Sequence, residues 1–523
     1  MTVLQERIGL AVAVVVVLAA VNANSLIALI RPLPEQSYTG IFTNEEDIYS
    51  YFTKMRVGSE GQLLLDNRYA VEAHRQVPFY LIYTTFGWFI EKLSPVTPVP
   101  FDHLVSSYHG LRVVAGAAYL LVLYRVMVLF FAEPAKRGAA WALAVIGGGL
   151  GGITTAATGD ILFAGGALDL LIGEFTSLRP LVALPHVLIG RTLLLTGVIA
   201  LVEAVEARRF PAAAILAWTG MTLTMPLYLA PAGGIVGAWI VVRLIADRRI
   251  AWEIVWRGLA AGAPGMLFAG LTLILSAQDP VISAWMEQNQ IKPAGLPGLM
   301  LAVGVQVAAA VAGWIIVLRR KPERWALLIG WAVVPFVLIW IPYNVSLRLI
   351  EAYFVPLAIL MVIGLAELIE KQRIAGIAAV VVTVLLMLPS AVFTTAGPAL
   401  FAALGSEPAY QPADVGAVMA YLRQQAPPES VVLSLETLGV RLPAGAPVRA
   451  VVGHGFETPD FTGRQAAAEA FFMGENPGIL DEFSVDYVVV GPEERELCAG
   501  CSLPPRLEPV YTSGDITVYA VRR

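Results

Sequence analysis

The chain has 523 residues, of which 57% are hydrophobic and 14% are charged, and its mean hydropathy is +0.71. A soluble domain is about 45–50% apolar and roughly 25% charged, so this composition excludes a series of ordinary soluble domains and indicates a polytopic membrane protein. The net charge of −5 excludes an extended basic surface for nucleic acid, and two cysteines exclude a disulfide scaffold or a four-cysteine metal site.

Long apolar segments predict about eleven transmembrane helices, because a helix needs about 20 apolar residues to cross a bilayer. We interpret the first as a retained membrane helix rather than a signal peptide, since no small-residue cleavage site follows it before Arg31. The predicted spans are residues 8–30, 110–131, 139–158, 181–204, 211–227, 229–246, 258–276, 295–318, 325–342, 349–369 and 374–396.

Basic residues occur in every second loop of this arrangement, and lysine and arginine concentrate on the cytoplasmic side of membrane proteins. The sequence therefore predicts a cytoplasmic N-terminus and an extracytoplasmic C-terminus. A transmembrane domain of residues 1–400 includes a large outer loop, residues 31–108, and residues 401–523 form an outer domain. The basic loops contain Lys136, Arg137, Arg208, Arg209, Arg248, Arg249, Arg319, Arg320, Lys321, Arg324, Lys371 and Arg373.

The outer domain alternates strand-like and helix-like patterns, which predicts an α/β domain of the doubly wound type. Cys498 and Cys501 lie in one predicted loop, where a local disulfide is favoured over metal binding or redox catalysis. The predicted strands are residues 431–433, 448–452, 485–490 and 516–521, and the predicted helices are residues 413–425 and 464–473.

The first outer loop contains three consecutive acidic residues, Glu45, Glu46 and Asp47. Apolar residues follow them at helical spacing, which predicts a helix lying along the membrane surface with the acids at its start. Acids at a helix N-terminus are electrostatically favourable without any further role. The alternative is that pairing, metal binding or catalysis uses these carboxylates, which are otherwise costly beside a membrane interface.

A second acidic group, Asp160, Asp169 and Glu174, lies in the loop after the third predicted span. Capping of helix and loop accounts for Asp169. Asp160 is predicted at the membrane boundary, facing the same outer space as Asp47. A divalent cation, Mg²⁺ or Mn²⁺, could bridge Asp47 and Asp160, although no close ligand spacing demands one.

Charged residues inside apolar spans are candidate functional groups, because a bilayer disfavours them. Arg191 lies about ten residues into its span, roughly 15 Å deep at 1.5 Å per residue, and His186 is placed to face the same cavity. Together with Arg112 and Arg348 they predict a cationic rim suited to a phosphate group. The alternative is internal pairing, for example of Arg348 with Glu351.

The outer domain carries His454 and Glu457 in a glycine- and proline-rich loop after a predicted strand. A turn at the end of the strand explains most of this pattern. His454 is also a candidate cap over the membrane site.

The layout resembles the GT-C superfamily of polytopic glycosyltransferases, which use lipid-linked sugars and include protein mannosyltransferases, aminoarabinose transferases and oligosaccharyltransferase catalytic subunits. The resemblance rests on the acidic motif of residues 45–47 in a long first outer loop, Asp160 in a second acidic outer loop, about eleven spans and the outer α/β domain. The sharpest match is residues 44–112, in which residues 108–112 enter the second span.

The resemblance implies a cell-envelope enzyme in the plasma membrane of a prokaryote, which transfers a sugar from a polyprenyl phosphate with inversion. The acceptor would be a glycan, a lipid or a protein, and other membrane subunits are compatible. Asp47 matches the family's acidic base and Glu46 is the second match, although the family's Asp-Glu pair appears here as Glu-Glu-Asp. The donor phosphate is assigned to Arg112, Arg191, Arg348 and His186, and the acceptor or a metal to Asp160 and Glu174.

Two other functions compete with this one. A transporter or flippase would also place Arg191 and His186 within the membrane, but it would not need a large acidic outer loop, and the chain shows no internal repeat. A non-catalytic membrane scaffold could retain the same fold to dock partners, since a fold does not determine an activity.

Overall fold

The computed structural model describes residues 3–293, 295–320, 325–498 and 503–522, and most of them are helical. The helices of the first third of the chain are α1 (Val3–Val21), α2 (Ala23–Ile30), α3 (Glu45–Ser59), α4 (Leu81–Leu93), α5 (Phe101–Phe130), α6 (Pro134–Ile146), α7 (Gly151–Thr158), α8 (Leu168–Leu171) and α9 (Leu178–Ala183). The helices of the middle part are α10 (Pro185–Glu206), α11 (Ala212–Thr224), α12 (Leu229–Asp247), α13 (Trp252–Ala277), α14 (Pro280–Gln288), α15 (Leu296–Arg319), α16 (Ala326–Leu338), α17 (Phe354–Lys371) and α18 (Arg373–Leu404).

The last part of the chain contains shorter helices and most of the strands. Its helices are α19 (Ala413–Gln425), α20 (Glu436–Gly439), α21 (Leu442–Gly445), α22 (Phe461–Phe472), α23 (Ile479–Glu482) and α24 (Pro492–Leu497). The strands are β1 (Gln36–Tyr38), β2 (Tyr410–Pro412), β3 (Ser430–Leu433), β4 (Val448–Ala450), β5 (Tyr487–Val490), β6 (Leu507–Ser513) and β7 (Ile516–Val521). Single 3-10 turns occur at Phe163–Gly165, Gly173–Phe175, Pro226–Tyr228 and Ser346–Ile350.

The chain is a multi-pass, mainly helical membrane protein, and every predicted span overlaps an apolar helix. Among the described residues, nine helical segments are long and apolar enough to cross a membrane. The other two, α11 and α16, have 13 residues each, so they measure about 20 Å at 1.5 Å per residue, less than the roughly 30 Å of a bilayer core. The number of eleven spans therefore stays a prediction.

The third predicted span is interrupted between α6 and α7, where Gly147 to Leu150 leave the helical conformation. Two backbone N–H groups at this break have side-chain partners. Gly149 N–H donates to Asp169 Oδ2 at 2.8 Å, Gly152 N–H donates to Ser390 Oγ at 2.9 Å, and Ser390 Oγ donates to Asp169 Oδ2 at 2.7 Å. One buried carboxylate thus satisfies the start of α7 and holds α18 against it.

The chain divides into two compact units. Unit 1 contains the apolar spans and consists of Met1–Leu26, Leu111–Gly270 and Gln290–Leu400. Unit 2 consists of Ile27–Gly110, Leu271–Asn289 and Phe401–Arg523. The division at residue 400 recurs here, whereas the outer loop of residues 31–108, which the sequence assigned to the transmembrane domain, folds together with the C-terminal segment.

The C-terminal segment forms a five-stranded sheet in the order β4-β3-β5-β7-β6, in which β4, β3 and β5 are parallel and β7 and β6 are antiparallel to their neighbours. The four predicted strands are present, and β6 is an additional one. Its residues are mostly exposed at the sheet edge, so it lacks the apolar pattern that reveals the others.

Helix α22 packs on one face of this sheet. Phe471 and Phe472 of the helix form a buried cluster with Leu433 of β3 and with Val488 and Val490 of β5. Helix α19 has the bounds that the sequence predicts, residues 413–425. The cluster anchors the loop that follows β4, and this loop carries His454.

Helix α3 differs from its prediction as a helix on the membrane surface. Residues 48–58 are buried on every side, and they include Lys54 and Arg56. Both polar side chains have partners in unit 2, since Arg56 Nη1 donates to the Val99 carbonyl at 2.7 Å and Lys54 pairs with Glu457. The C-terminal segment covers the polar side of α3, a contact that helical periodicity alone does not predict.

Parts of two predicted features have no description here. Lys321 and Arg324 of one basic loop, and Cys501 of the expected disulfide with Cys498, lie outside the described residues.

Candidate active site

The acidic residues of the first outer loop occupy the first turn of α3. Asn44 precedes the helix with a left-handed backbone, at φ 53°. Successive residues of a helix are rotated by about 100°, since a turn has 3.6 residues, so the three carboxylates point to different surroundings. We refer to Glu45, Glu46 and Asp47 as the α3 carboxylates.

Glu45 forms an ion pair inside unit 2. Its Oε1 accepts from Arg441 Nη2 at 2.7 Å and from Arg441 Nε at 3.1 Å. Arg441 also reaches Glu407 at 3.3 Å and lies over the ring of Tyr49, 5.8 Å from its centroid. Glu45 therefore fixes the start of α3 to the segment before α21.

Glu46 remains partly open, with 44% of its side chain exposed. Its Oε2 accepts from the backbone N–H of Gly455 at 2.8 Å. A Cβ at Gly455 would lie only 3.2 Å from this oxygen, so glycine permits the close approach. Burial and the neighbouring charge of Glu46 raise the pKa of Glu436, which shows that two carboxyl groups meet here.

Asp47 is 31% exposed and accepts hydrogen bonds from two side chains, Asn44 Nδ2 at 3.1 Å and His454 Nε2 at 3.4 Å. Nδ1 of His454 accepts from the backbone N–H of Phe456 at 3.1 Å, so the proton of a neutral ring lies on Nε2, facing Asp47. Burial disfavours the charged ring, but the hydrogen bond to Asp47 and the charges of Glu457, Asp47 and Glu46 outweigh burial and raise the pKa of His454.

A buried ion pair holds the His454 loop against α3. Glu457 Oε1 accepts from Lys54 Nζ at 2.8 Å and from Ser50 Oγ at 2.7 Å, and Lys54 also contacts Ser50. Burial favours the neutral acid, yet the charges of Lys54 and His454 lower the pKa of Glu457. Lys54 also lies 4.8 Å from the ring centroid of Tyr80. The pair of Lys54 and Glu457 thus holds the loop of His454 beside the helix that carries Asp47.

A second segment of unit 2 supports the same loop from α14. Gln288 Nε2 donates to the carbonyls of Phe456 at 2.9 Å and Thr458 at 3.1 Å. Asp279 caps the start of α14 and also accepts from the backbone N–H of Arg75 at 2.7 Å. The loop therefore has partners on both of its sides.

Glu46, Asp47 and His454 line a cavity of about 520 Å³ in unit 2. Its volume falls in the range of small-molecule sites, about 300–1,000 Å³. Six of the described lining residues are acidic, and Arg441 is the fixed positive charge among them. The acidic lining residues are Glu45, Glu46, Asp47, Glu407, Glu436 and Glu493.

No protein-family model and no curated protein matches the chain. Solved structures do. The ArnT of Cupriavidus metallidurans bound to undecaprenyl phosphate matches with a TM-score of 0.52 at 15% identity, over 99% of this chain and 98% of that chain. The apo state of the same protein matches with a TM-score of 0.51 at 14% identity, over 98% of each chain.

A third structure is the archaeal oligosaccharyltransferase AglB from Archaeoglobus fulgidus, in complex with an inhibitory peptide and a dolichol phosphate. It matches with a TM-score of 0.51 at 12% identity, over 92% of this chain and 70% of that chain. These neighbours are GT-C enzymes. The chain has the GT-C fold. The resemblance drawn from its sequence is confirmed at this level.

Unit 1 of this GT-C fold contains the residues predicted to bind a donor phosphate. Arg191 is fully buried and makes a bidentate contact with Glu351, at 2.6 and 2.8 Å. Arg191 Nη1 donates to the Thr176 carbonyl, and Nη2 donates to the Gly173 carbonyl as well as to Glu351. Tyr228 also donates to Glu351, at 2.8 Å. Arg191 is therefore an internal partner of Glu351, and the pairing of Arg348 with Glu351 stays a prediction.

Arg112 is also buried and donates to the Leu181 carbonyl at 2.5 Å and to Asn22 Oδ1 at 2.7 Å. His186 is buried as well. Arg348 is half-buried in the turn Ser346–Ile350. Glu174 is buried, and burial raises its pKa against the opposing charge of Arg348.

Asp160 is exposed, and its Oδ1 accepts from the backbone N–H of Leu162 at 2.8 Å. It belongs to unit 1, whereas Asp47 belongs to unit 2. In the part of the chain that the structure describes, no group of three or more His, Cys, Asp or Glu side chains is arranged to hold a metal ion. The cation between Asp47 and Asp160 stays a prediction.

The sequence missed several residues that build the site. Arg441 lies 396 residues from Glu45 along the chain, and no local pattern connects them. Lys54 gave no signal either, because a lysine in a predicted surface helix is expected in solvent. Only Glu457 was noted, as the acidic partner of His454 in a glycine- and proline-rich loop.

Proposed function

We propose that the protein is a membrane glycosyltransferase that moves a sugar from a polyprenyl phosphate to an acceptor hydroxyl, with Asp47 as general base. The observation that carries this proposal is the position of Asp47. It is a partly exposed carboxylate on the wall of a cavity, held by His454. The GT-C fold supports the proposal, since its solved neighbours include glycosyltransferases with bound lipid phosphates.

The chemistry requires one proton transfer and one displacement. Asp47 accepts the proton of the acceptor hydroxyl while the oxygen of this hydroxyl attacks the anomeric carbon. The bond from this carbon to the phosphate oxygen breaks, and polyprenyl phosphate leaves with the electron pair. A single displacement inverts the anomeric configuration. A positioned base of this kind contributes typically 10²- to 10⁴-fold to the rate.

His454 would act as a positioning residue in this reaction. Its Nε2–H donates to Asp47 Oδ1, and Asn44 Nδ2 donates to Oδ2, so the two side chains together orient the carboxylate on the cavity wall. Glu46 is the second candidate base, since it lines the same cavity and is more exposed.

The negative charge of the cavity lining restricts the class of acceptor that can bind. Its acidic lining repels anions and attracts cations. We therefore propose an acceptor that is neutral or carries an amino group near the reacting hydroxyl. The donor phosphate remains proposed on Arg112, Arg191 and Arg348 of unit 1 with His186.

The test is turnover of a panel of polyprenyl phosphate sugars by the purified protein with membrane acceptors, read by mass spectrometry of the lipid. We expect Asp47→Asn to lower turnover 10²- to 10⁴-fold with an unchanged melting temperature. Asp515→Asn, at an exposed carboxylate that does not line the cavity, is the matched control and should stay within about twofold of the wild type.

Wild-type turnover by Asp47→Asn would exclude Asp47 as the base. Glu46 would then be the candidate base, and Glu46→Gln would test it. Neither binding nor turnover of any donor by the wild type would favour the non-catalytic scaffold. Retained donor binding by Asp47→Asn distinguishes a lost base from a lost site.

A further inference from the structure

Unit 1 contains a cavity of about 840 Å³ that the proposed transfer does not use. It lies where α5, α10 and α12 end and where α13 begins. The apolar span of α12 stops at Asp247, and that of α13 starts at Trp252. The cavity is therefore placed at the level where apolar helix surface gives way to charged loops, which is the depth of lipid headgroups.

One part of the cavity lining is apolar and aromatic. Trp239, Trp252 and Trp325 line it, together with Phe130 and Val202. Phe130 and Trp325 are stacked, with ring centroids 6.4 Å apart and planes inclined by 12°. Tryptophan is enriched at membrane interfaces because its ring is apolar and its N–H is polar. This wall suits the upper part of an acyl chain.

The outer rim of the cavity is charged but balanced, with three arginines and three acidic residues among the described lining. Four of these six residues face one another in pairs. Arg243 Nη2 lies 2.5 Å from Asp247, and Arg208 Nε lies 4.0 Å from Glu253. A rim without net charge gives no general attraction for an anion.

The remaining two rim residues are Arg249 and Glu206. Both are exposed, and neither forms an ion pair with any described residue. A guanidinium group binds a phosphate through charge-assisted hydrogen bonds, and a carboxylate accepts from an ammonium group. One site of each sign on one rim matches a ligand that carries one charge of each sign.

We propose that this cavity binds a zwitterionic phospholipid with a primary ammonium group, of the phosphatidylethanolamine class. Its phosphate contacts Arg249, its ammonium group contacts Glu206, and its glycerol and first methylenes pack on the three tryptophans. This binding does not depend on the proposed transferase activity.

The test is native mass spectrometry of the full-length protein, released from detergent micelles that contain phosphatidylethanolamine, phosphatidylcholine and phosphatidylglycerol with identical acyl chains. We expect phosphatidylethanolamine to be retained at least about fivefold over both others. Phosphatidylcholine lacks N–H donors, and phosphatidylglycerol lacks the ammonium group. Equal retention of the three lipids would overturn the proposal.

Two variants separate the two contacts. Glu206→Gln should lower retention of phosphatidylethanolamine about tenfold, which corresponds to about 1.4 kcal/mol, without lowering that of phosphatidylglycerol. Arg249→Gln should lower retention of all three lipids, because each carries the phosphate. Arg373→Gln, an exposed arginine that does not line the cavity, is the matched control and should behave as the wild type.

A soluble headgroup tests the lipid part of the inference. Glycerophosphoethanolamine has both charges and no acyl chain, so it should compete only weakly. Competition as strong as that of the lipid would show a site for a soluble zwitterion and would overturn the assignment to a phospholipid. Unchanged lipid retention in both Glu206→Gln and Arg249→Gln would overturn it as well.

Discussion

The chain has two groups of three acidic residues in predicted outer loops, and the structure gives them different surroundings. In unit 2 the α3 carboxylates are consecutive on one helix, so Glu45 is paired with Arg441 while Glu46 and Asp47 line a cavity. In unit 1 Asp169 is enclosed, whereas Asp160 is exposed and bonds only to its own loop.

This difference separates three uses of a carboxylate. Asp169 satisfies backbone donors at a helix break, Asp160 closes a turn, and Asp47 combines exposure to a cavity with a fixed neighbour, His454. A general base needs both properties, because it must reach the acceptor proton and keep its orientation. Acidic residues in an outer loop are therefore informative only once their partners are known.

The largest effect should come from the buried pair that holds the site together. Glu457→Gln leaves the Lys54 ammonium group buried without its counter-charge, and removal of one partner of a buried pair costs about 3–5 kcal/mol. We expect a correspondingly lower free energy of unfolding, measured by urea denaturation in detergent. The double variant Lys54→Met with Glu457→Met should restore much of it. A loss in the double variant equal to the sum of the losses in the two single variants would show that the pair is not coupled.

The second acidic loop should give a smaller effect that depends on position. Asp169→Ala removes the acceptor of Gly149 N–H and Ser390 Oγ, and such unsatisfied buried groups cost about 1–3 kcal/mol. Asp160→Ala should change stability by less than about 0.5 kcal/mol, as exposed sites do. Thermal unfolding of both variants checks the contrast, and a similar loss at both positions would contradict it.

The smallest effect is a pH dependence in unit 2. The pKa of folded His454 is raised, so its contribution is present below the unfolded pKa of about 6.5 and is lost as pH rises through the higher folded value. The pKa of Glu457 is lowered, so its contribution is lost only as pH falls below that of an ordinary carboxyl. Stability should therefore decline from pH 6 to pH 9.

His454→Gln should flatten this decline in thermal unfolding measurements. His74 adds to the same slope. Burial lowers its pKa, but its hydrogen bonds to Asp66 and to the Glu72 carbonyl, together with the charge of Asp66, outweigh burial and raise the pKa. His74→Gln is therefore the variant to compare with His454→Gln, and each should remove part of the decline in stability with pH. A wild-type slope in His454→Gln would mean that the contact with Asp47 does not stabilise the charged ring.

Local patterns predicted much of the fold. The apolar spans follow from the length of the apolar segments. Helix α19 and four strands of the outer sheet follow from periodicity, because each buries a regular face. The same rules missed β6, whose residues are mostly exposed, and they placed α3 on a membrane surface although it is buried on every side. Periodicity records which side of an element is apolar, and α3 buries polar side chains too.

The sequence by itself determined a multi-pass membrane protein of GT-C type, with acidic residues at the start of a helix in its first outer loop. Those properties depend on composition, segment length and short motifs. Only the tertiary structure decided that Asp47 meets His454, that Glu45 pairs with Arg441 and that Arg191 pairs with Glu351. These partners are far apart along the chain, and a charge reveals its partner only after folding has brought the two together.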